Sequence, residues 1–230
     1  MIFGFDTAAV LDEGLEAWAF VRRLVEGWTR PLAPGDGWSE ADLVTAEGLL
    51  GVRLPGTLRT VYGLLGKRFD LTRCQDDLLT PYQCHWDNTG EVLVFRAENQ
   101  GCAHWGIRRA DFGAEDPPVV YRAGNGWQPF LSHTSLACVE MLLSETVFGG
   151  ELFNACELSV DLAALGYRQL AFPEYPTWAD PTGSPVRWYA GPGKLLRQET
   201  GWIFIRGRTP EDLRALCATI PGDWTLAHNV

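Results

Sequence analysis

Asp76, Asp77, Glu98, Asn99 and Gln100, with Trp105 and Trp127, are the side chains of this sequence best suited to chemistry at a surface. The acids can face a basic ligand, the two amides both donate and accept hydrogen bonds, and tryptophan supplies the broad contact that dominates many interfaces. Glu98-Asn99-Gln100-Gly101 stands at the centre of VLVFRAENQGCAHWGI, residues 92–107. That position allows a second reading. Asn99 tolerates an unusual backbone angle and Gly101 supplies another, so the same four residues would also make the turn of a hairpin.

Cys74, Cys84, His85, Cys102 and His104 form another set, of thiols and imidazoles, the ligand types zinc prefers. Their spacing matches no zinc ribbon or finger, and we expect neither a metal nor another cofactor. A Cys/His nucleophile pair from this set would need a base within hydrogen-bond reach, which spacing alone does not supply. Glu91, Asp111, Glu115 and Asp116 enlarge the acidic group. For hydrolysis such carboxylates must converge in a cleft with separated pKa values. A small hydrolase using the carboxylates or the Cys/His cluster is therefore the rival of a binding module. No serine elbow, phosphate-cradling glycine loop or H-E-x-x-H is present.

The formal charge of −10, from 29 acids against 19 bases, argues against nucleic acid as a partner, because a phosphate backbone calls for clustered Lys and Arg. It favours association with a basic protein. No apolar run approaches the roughly 18 residues of a membrane span, and the N-terminal residues lack the pattern of a secretory signal. A cytoplasmic protein without a membrane partner is expected. The six cysteines include no C-x-x-C pair and are read as reduced thiols.

The elements that must position these residues follow from periodicity. Leu11, Leu15, Trp18, Leu24 and Val25 recur at helical steps, giving an N-terminal helix over residues 8–28 that Pro31 ends. Ser39 with Asp42 three residues on caps a second helix; Gly51 suits its end, and Pro55 the first turn of a third. Residues 92–97 and 102–107 pair as a hairpin. Pro117, in Asp116-Pro117-Pro118, forces an extended approach to a strand over residues 119–122. A helix follows over residues 132–148. Beyond Gly149-Gly150, five prolines interrupt residues 172–192, leaving open a rigid arm or a mobile loop. Two strand-like runs, 194–198 and 202–206, then precede a helix capped by Thr209 and a last strand over residues 224–227.

Glu47-x-x-Leu50-Gly51-x-x-Leu54-Pro55, followed by Leu58, Tyr62 and Gly66, resembles the N-terminal signature of the SUKH superfamily, the Smi/Knr cell-wall-regulator-like domains. The run Val92 to Phe95 with Glu98 to Gly101, then Trp105, Asp116 to Val119, Trp127 and Phe130-Leu131, is also similar to bacterial members. The likeness covers residues 39–148. It implies an α+β fold with a twisted β-sheet packed by helices on one side, and it implies no catalysis. Bacterial members are immunity proteins that bind and neutralise toxins, often nucleases, and fungal relatives are regulatory hubs.

The expectation is a SUKH-like domain over residues 1–150 and a small C-terminal α/β extension over residues 151–230, separate or packed on the same core. It would not be an enzyme. As a monomer or weak dimer it would bind a protein, a basic toxin domain, through Asp76, Asp77, Glu98, Asn99, Gln100, Trp105 and Trp127. Glu47, Leu50, Gly51, Leu54, Pro55, Gly101 and Pro117 would be its structural motif. A regulatory scaffold without a toxin is the third reading.

Overall fold

The computed structural model describes residues 17–124 and 126–224. It divides into two compact units, residues 31–145 and the described parts of residues 1–30 with 146–230. Each holds one antiparallel sheet together with helices, so the fold class is α+β. Among the described residues, no helix is long and apolar enough to cross a membrane. Helix α1, Ala17–Trp28, buries Phe20, Val21, Leu24 and Val25 along one stripe; the start of the expected helix, residues 8–16, lies outside the described residues, as does most of the expected last strand at 224–227.

In the unit of residues 31–145 the local signals act as read. Helix α2, Glu40–Leu50, starts in a capping box: Asp42 N–H donates to Ser39 Oγ at 3.2 Å and Ser39 N–H donates to Asp42 Oδ2 at 3.1 Å. Gly51 ends it at φ 71°, a left-handed angle that a Cβ would strain. Glu47 then does two jobs. Its Oε1 accepts the Leu54 N–H at 2.9 Å and pairs with the Arg59 guanidinium on helix α3, Gly56–Leu65. The sharp corner between the helices is thus pinned by a carboxylate, with Leu54 buried beneath it. Pro55 stands one residue before α3, at its N-cap. A short helix α4 follows at Phe69–Thr72, and helix α5 spans Thr134–Phe148.

Six strands make this unit's sheet: β1 (Asp76–Leu78), β2 (His85–Trp86), β3 (Val92–Glu98), β4 (His104–Arg108), β5 (Val119–Arg122) and β6 (Gln128–Leu131). Their order is β1-β3-β4-β5-β6, with β2 also paired to β3. The β3–β4 hairpin is the one expected, with a bulge between Val94 and Arg96. Pro129 is accommodated in β6 because that strand has a neighbour on one side only. Pro117 contributes its carbonyl, which accepts both the N–H and the hydroxyl of Thr134 at 2.8 Å and so ties the approach of β5 to the start of α5.

The other sheet comprises β7 (Phe153–Glu157), β8 (Arg168–Gln169), β9 (Arg187–Gly191), β10 (Lys194–Glu199) and β11 (Trp202–Gly207), in the order β7-β11-β10-β9-β8. Helix α6, Pro210–Thr219, is capped by Thr209 as expected. Leu196, Ile203 and Ile205 from the sheet meet Leu213, Leu216 and Ile220 in one core, each side chain contributing about 1.5–3 kcal/mol by leaving water. The two expected strand-like runs, β10 and β11, pair with each other inside a larger antiparallel layer. The proline-rich segment forms an arm held to this sheet: Tyr175 bridges to Val186, and Trp188 Nε1 donates to Tyr175 Oη at 3.0 Å.

Candidate functional site

Side chains alternate across a strand, so the register sorts the N-terminal sheet into two faces. Leu78, Arg96, Trp105, Tyr121 and Gln128 are direct cross-strand partners and make one row. Arg96, Trp105 and Tyr121 are buried. The adjacent row, Asp77–Ala97–His104–Arg122, is shifted by one residue on every strand and faces the other way. All four of its members are half-buried.

On the inner face Arg96 is 2% exposed. It donates to Glu140 Oε2 of α5 at 2.6 Å and to Asp76 Oδ2, and its Cζ lies 4.3 Å from the centre of the Trp105 ring. Burial opposes its charge, but Glu140 and Asp76 overcome that and hold the guanidinium protonated. Glu145, on the same helix, accepts the N–H groups of Cys74, of Gln75 at 3.2 Å and of Asp76 at 3.0 Å. Burial pushes its carboxyl up to about 7, against the pull of these amides and of Arg96.

The expected binding residues divide between the two faces. Asp76, Glu98 and Trp105 are 4%, 5% and 3% exposed, which corrects their expected place on a binding surface. Asp76 is the counter-ion of Arg96. Glu98 Oε2 accepts the N–H groups of Gln100 at 2.8 Å and Cys102 at 3.1 Å, and Gly101 turns the chain at φ 76°, so the carboxylate is the internal peg of the hairpin turn. Asn99 and Gln100 are exposed on that turn, and the Asn99 N–H reaches Gln75 O at 3.4 Å. They border the corner of the sheet where Asp77 begins the outer row.

Trp127 closes the other end of that row. Its ring centre lies 4.8 Å from Arg122 Cζ, and its Nε1 donates to Asp87 Oδ2 at 3.0 Å. Arg122 is on β5 and Asp87 precedes the start of β3, two strands away, so the indole lies across the outer face. Gly106 stands between these strands, where a Cβ would meet Val92 Cγ1 at 2.5 Å. Burial alone would raise the Asp87 carboxyl, but hydrogen bonds from Trp127, Thr89 and the Val92 and Glu91 N–H groups bring it down to about 2. His104 is held below the usual imidazole range by burial and then by Arg122 and His85. Residue type alone gives no reason to select Arg122 and marks His104 only as one of the Cys/His set. What places both on this face is strand alternation, one step from Trp105 and Tyr121, and it has meaning only when the register is known.

A separate cleft of about 680 Å³ opens between α2, α3 and residues 112–115, lined by Trp38, Leu43, Leu54, Thr60 and Phe112 among others. Its volume suits a small ligand. Several of its polar groups are engaged within the chain: Arg59 is held by Glu40 and Glu47, and Glu115 closes on Gly56 while its carbonyl accepts the Thr57 hydroxyl at 2.9 Å. Arg53, also in the lining, is exposed and makes no hydrogen bond or ion pair among the described residues. The Cys/His set is not gathered at one point. Cys84 is bonded to Tyr62 Oη, burial pushes its thiol up to about 12, and His85 Nδ1 meets Gln83 O. Among the described residues, no three His, Cys, Asp or Glu side chains are grouped to hold a metal ion.

The class these observations define is an α+β protein with an acid, an imidazole and an arginine in one row on a sheet face, bordered by two exposed amides. Comparison with protein-family models, with curated proteins and with solved structures finds no match.

Proposed function

We propose that the protein is a non-catalytic binding module of the immunity type, which acts in the cytoplasm by covering a bacterial toxin domain. The observation that carries this reading is the outer row. Asp77, His104 and Arg122 are half-exposed, in register on three strands, and flanked by the exposed amides of Asn99 and Gln100 and by Trp127. Such a surface offers donors and acceptors on a rigid base beside a fixed aromatic ring, a combination favoured where binding energy concentrates. The charge of −10 supports a basic partner, and the motif resemblance to the SUKH superfamily supports the immunity role.

The test is capture followed by protection. Purified protein is used as bait in the native cell extract, and any bound toxin domain is then expressed in a host with or without this chain. Wild-type protein should bind the toxin and restore growth, while Trp127→Ala and the Asp77→Ala/Asn99→Ala pair should bind it at least tenfold more weakly. Growth arrest that this chain does not relieve would remove the immunity reading.

A further inference from the structure

Among the described residues, two arginines on strands of the N-terminal sheet, Arg96 and Arg122, lie over tryptophan rings, and only one of them has acids to bind; Arg109, just past β4, lies over Trp86 and donates its Nε–H to Gly90 O. Arg96 over Trp105 meets Asp76 and Glu140. Arg122 over Trp127 makes no hydrogen bond or ion pair among the described residues. The acid in its own row, Asp77, is three strands away, roughly 14 Å at the usual strand spacing. Its ring is not a loose one, since Asp87 fixes the indole. A guanidinium carries its N–H donors in a planar fork that matches a carboxylate, and stacking on a fixed ring aligns that fork before any partner arrives. His104 stands directly across from it and adds a ring N–H.

We propose that Arg122, stacked on Trp127, is the anchor that takes a carboxylate side chain of the partner protein. The inference rests on the outer row being the docking face, and it adds the chemistry that sets the register of docking. Overall charge and local chemistry then act at different ranges. The excess of acids steers a basic partner at long range, and Arg122 selects one acid on that partner at contact.

Hexaglutamate and hexalysine peptides at low salt are the probes, followed by NMR of the arginine Nε–H and tryptophan indole N–H groups in the full chain. The protein as a whole repels hexaglutamate, so saturable binding must come from a local site. Hexaglutamate is expected to shift Arg122 Nε–H and Trp127 Nε1–H together and saturably. Hexalysine should leave both in place. Arg122→Gln should weaken hexaglutamate binding at least tenfold, and Arg122→Lys several-fold, because lysine keeps the charge and loses the fork. An unchanged urea midpoint and an unchanged far-UV circular dichroism spectrum in the free variants would show an intact fold. Shifts confined to other arginines, no saturation, or equal affinity in Arg122→Gln would each overturn the proposal. The experiment needs no toxin, so a module without one would still pass it. A toxin bound equally by wild type and Arg122→Gln would preserve the proposed function and overturn the anchor.

Discussion

Arg96 on Trp105 and Arg122 on Trp127 are the same pair of side chains set on opposite faces of one sheet, with ring distances of 4.3 and 4.8 Å. The inner pair is enclosed by carboxylates from β1 and α5, and the outer pair is half-exposed and has none. A buried charge must be matched by its own chain, because leaving it unpaired costs several kcal/mol. A half-exposed one can keep water until a partner replaces it. What separates a structural arginine from a docking arginine in this fold is therefore the supply of acids around it, and one step of strand alternation decides that supply.

Breaking the inner pair should have the largest effect. Arg96→Met leaves Asp76 and Glu140 as uncompensated carboxylates and should cost about 3–5 kcal/mol in urea unfolding. Adding Asp76→Asn and Glu140→Gln should recover much of the loss; a cost below about 1 kcal/mol for the single change would place the support of this sheet elsewhere.

Glu145 sharpens the same side of the comparison through pH. Its folded pKa is raised to about 7, so its favourable contribution is complete below the unfolded carboxyl range near 4.5 and is lost as pH rises through 7. The order of magnitude is about 3 kcal/mol. Subtracting the stability curve of Glu145→Gln from that of wild type should reveal a decline between pH 4.5 and 7. A flat difference would show that the amides of residues 74–76 offset its burial.

Smaller effects belong to the outer pair. Trp127→Phe keeps a ring beneath Arg122 and loses the hydrogen bond to Asp87, for about 1 kcal/mol. Asp87 titrates in the opposite sense to Glu145. Its folded pKa is lowered to about 2, so its contribution is present above the unfolded value and disappears as pH falls through 2. In Trp127→Phe that acid loss should be smaller and be complete at a higher pH, as read from urea unfolding followed by circular dichroism across the acid range. Smallest of all is Arg122→Gln, expected to change stability by less than about 0.5 kcal/mol. A larger loss would make Arg122 a structural arginine like Arg96.

Much of the fold was legible because its signals are local. Ser39 and Thr209 cap their helices through the next turn, Gly51 ends α2 by its own backbone angle, and the β3–β4 hairpin is two β-rich runs about a glycine turn. The strands β1, β2, β6 and β8 are two to four residues long, too short for a period to show, and β6 contains a proline. The site was less legible. Asp76 and Asp77 look alike in sequence, yet one is the buried counter-ion of Arg96 and the other starts the outer row. Glu98 and Trp105 have residue types suited to a surface, and strand parity turns both inward.

By itself the sequence determined the α+β class, the caps and turns, the Glu47–Pro55 corner and the charge that bears on the kind of partner. Each of these depends on residues within a few positions of one another or on a sum over the chain. Only the tertiary structure decided which face each strand residue takes, that Trp127 crosses the sheet to Asp87, and that Arg96 finds carboxylates where Arg122 finds none. Those facts depend on register between strands up to dozens of residues apart, and shifting a strand by one residue exchanges its two faces.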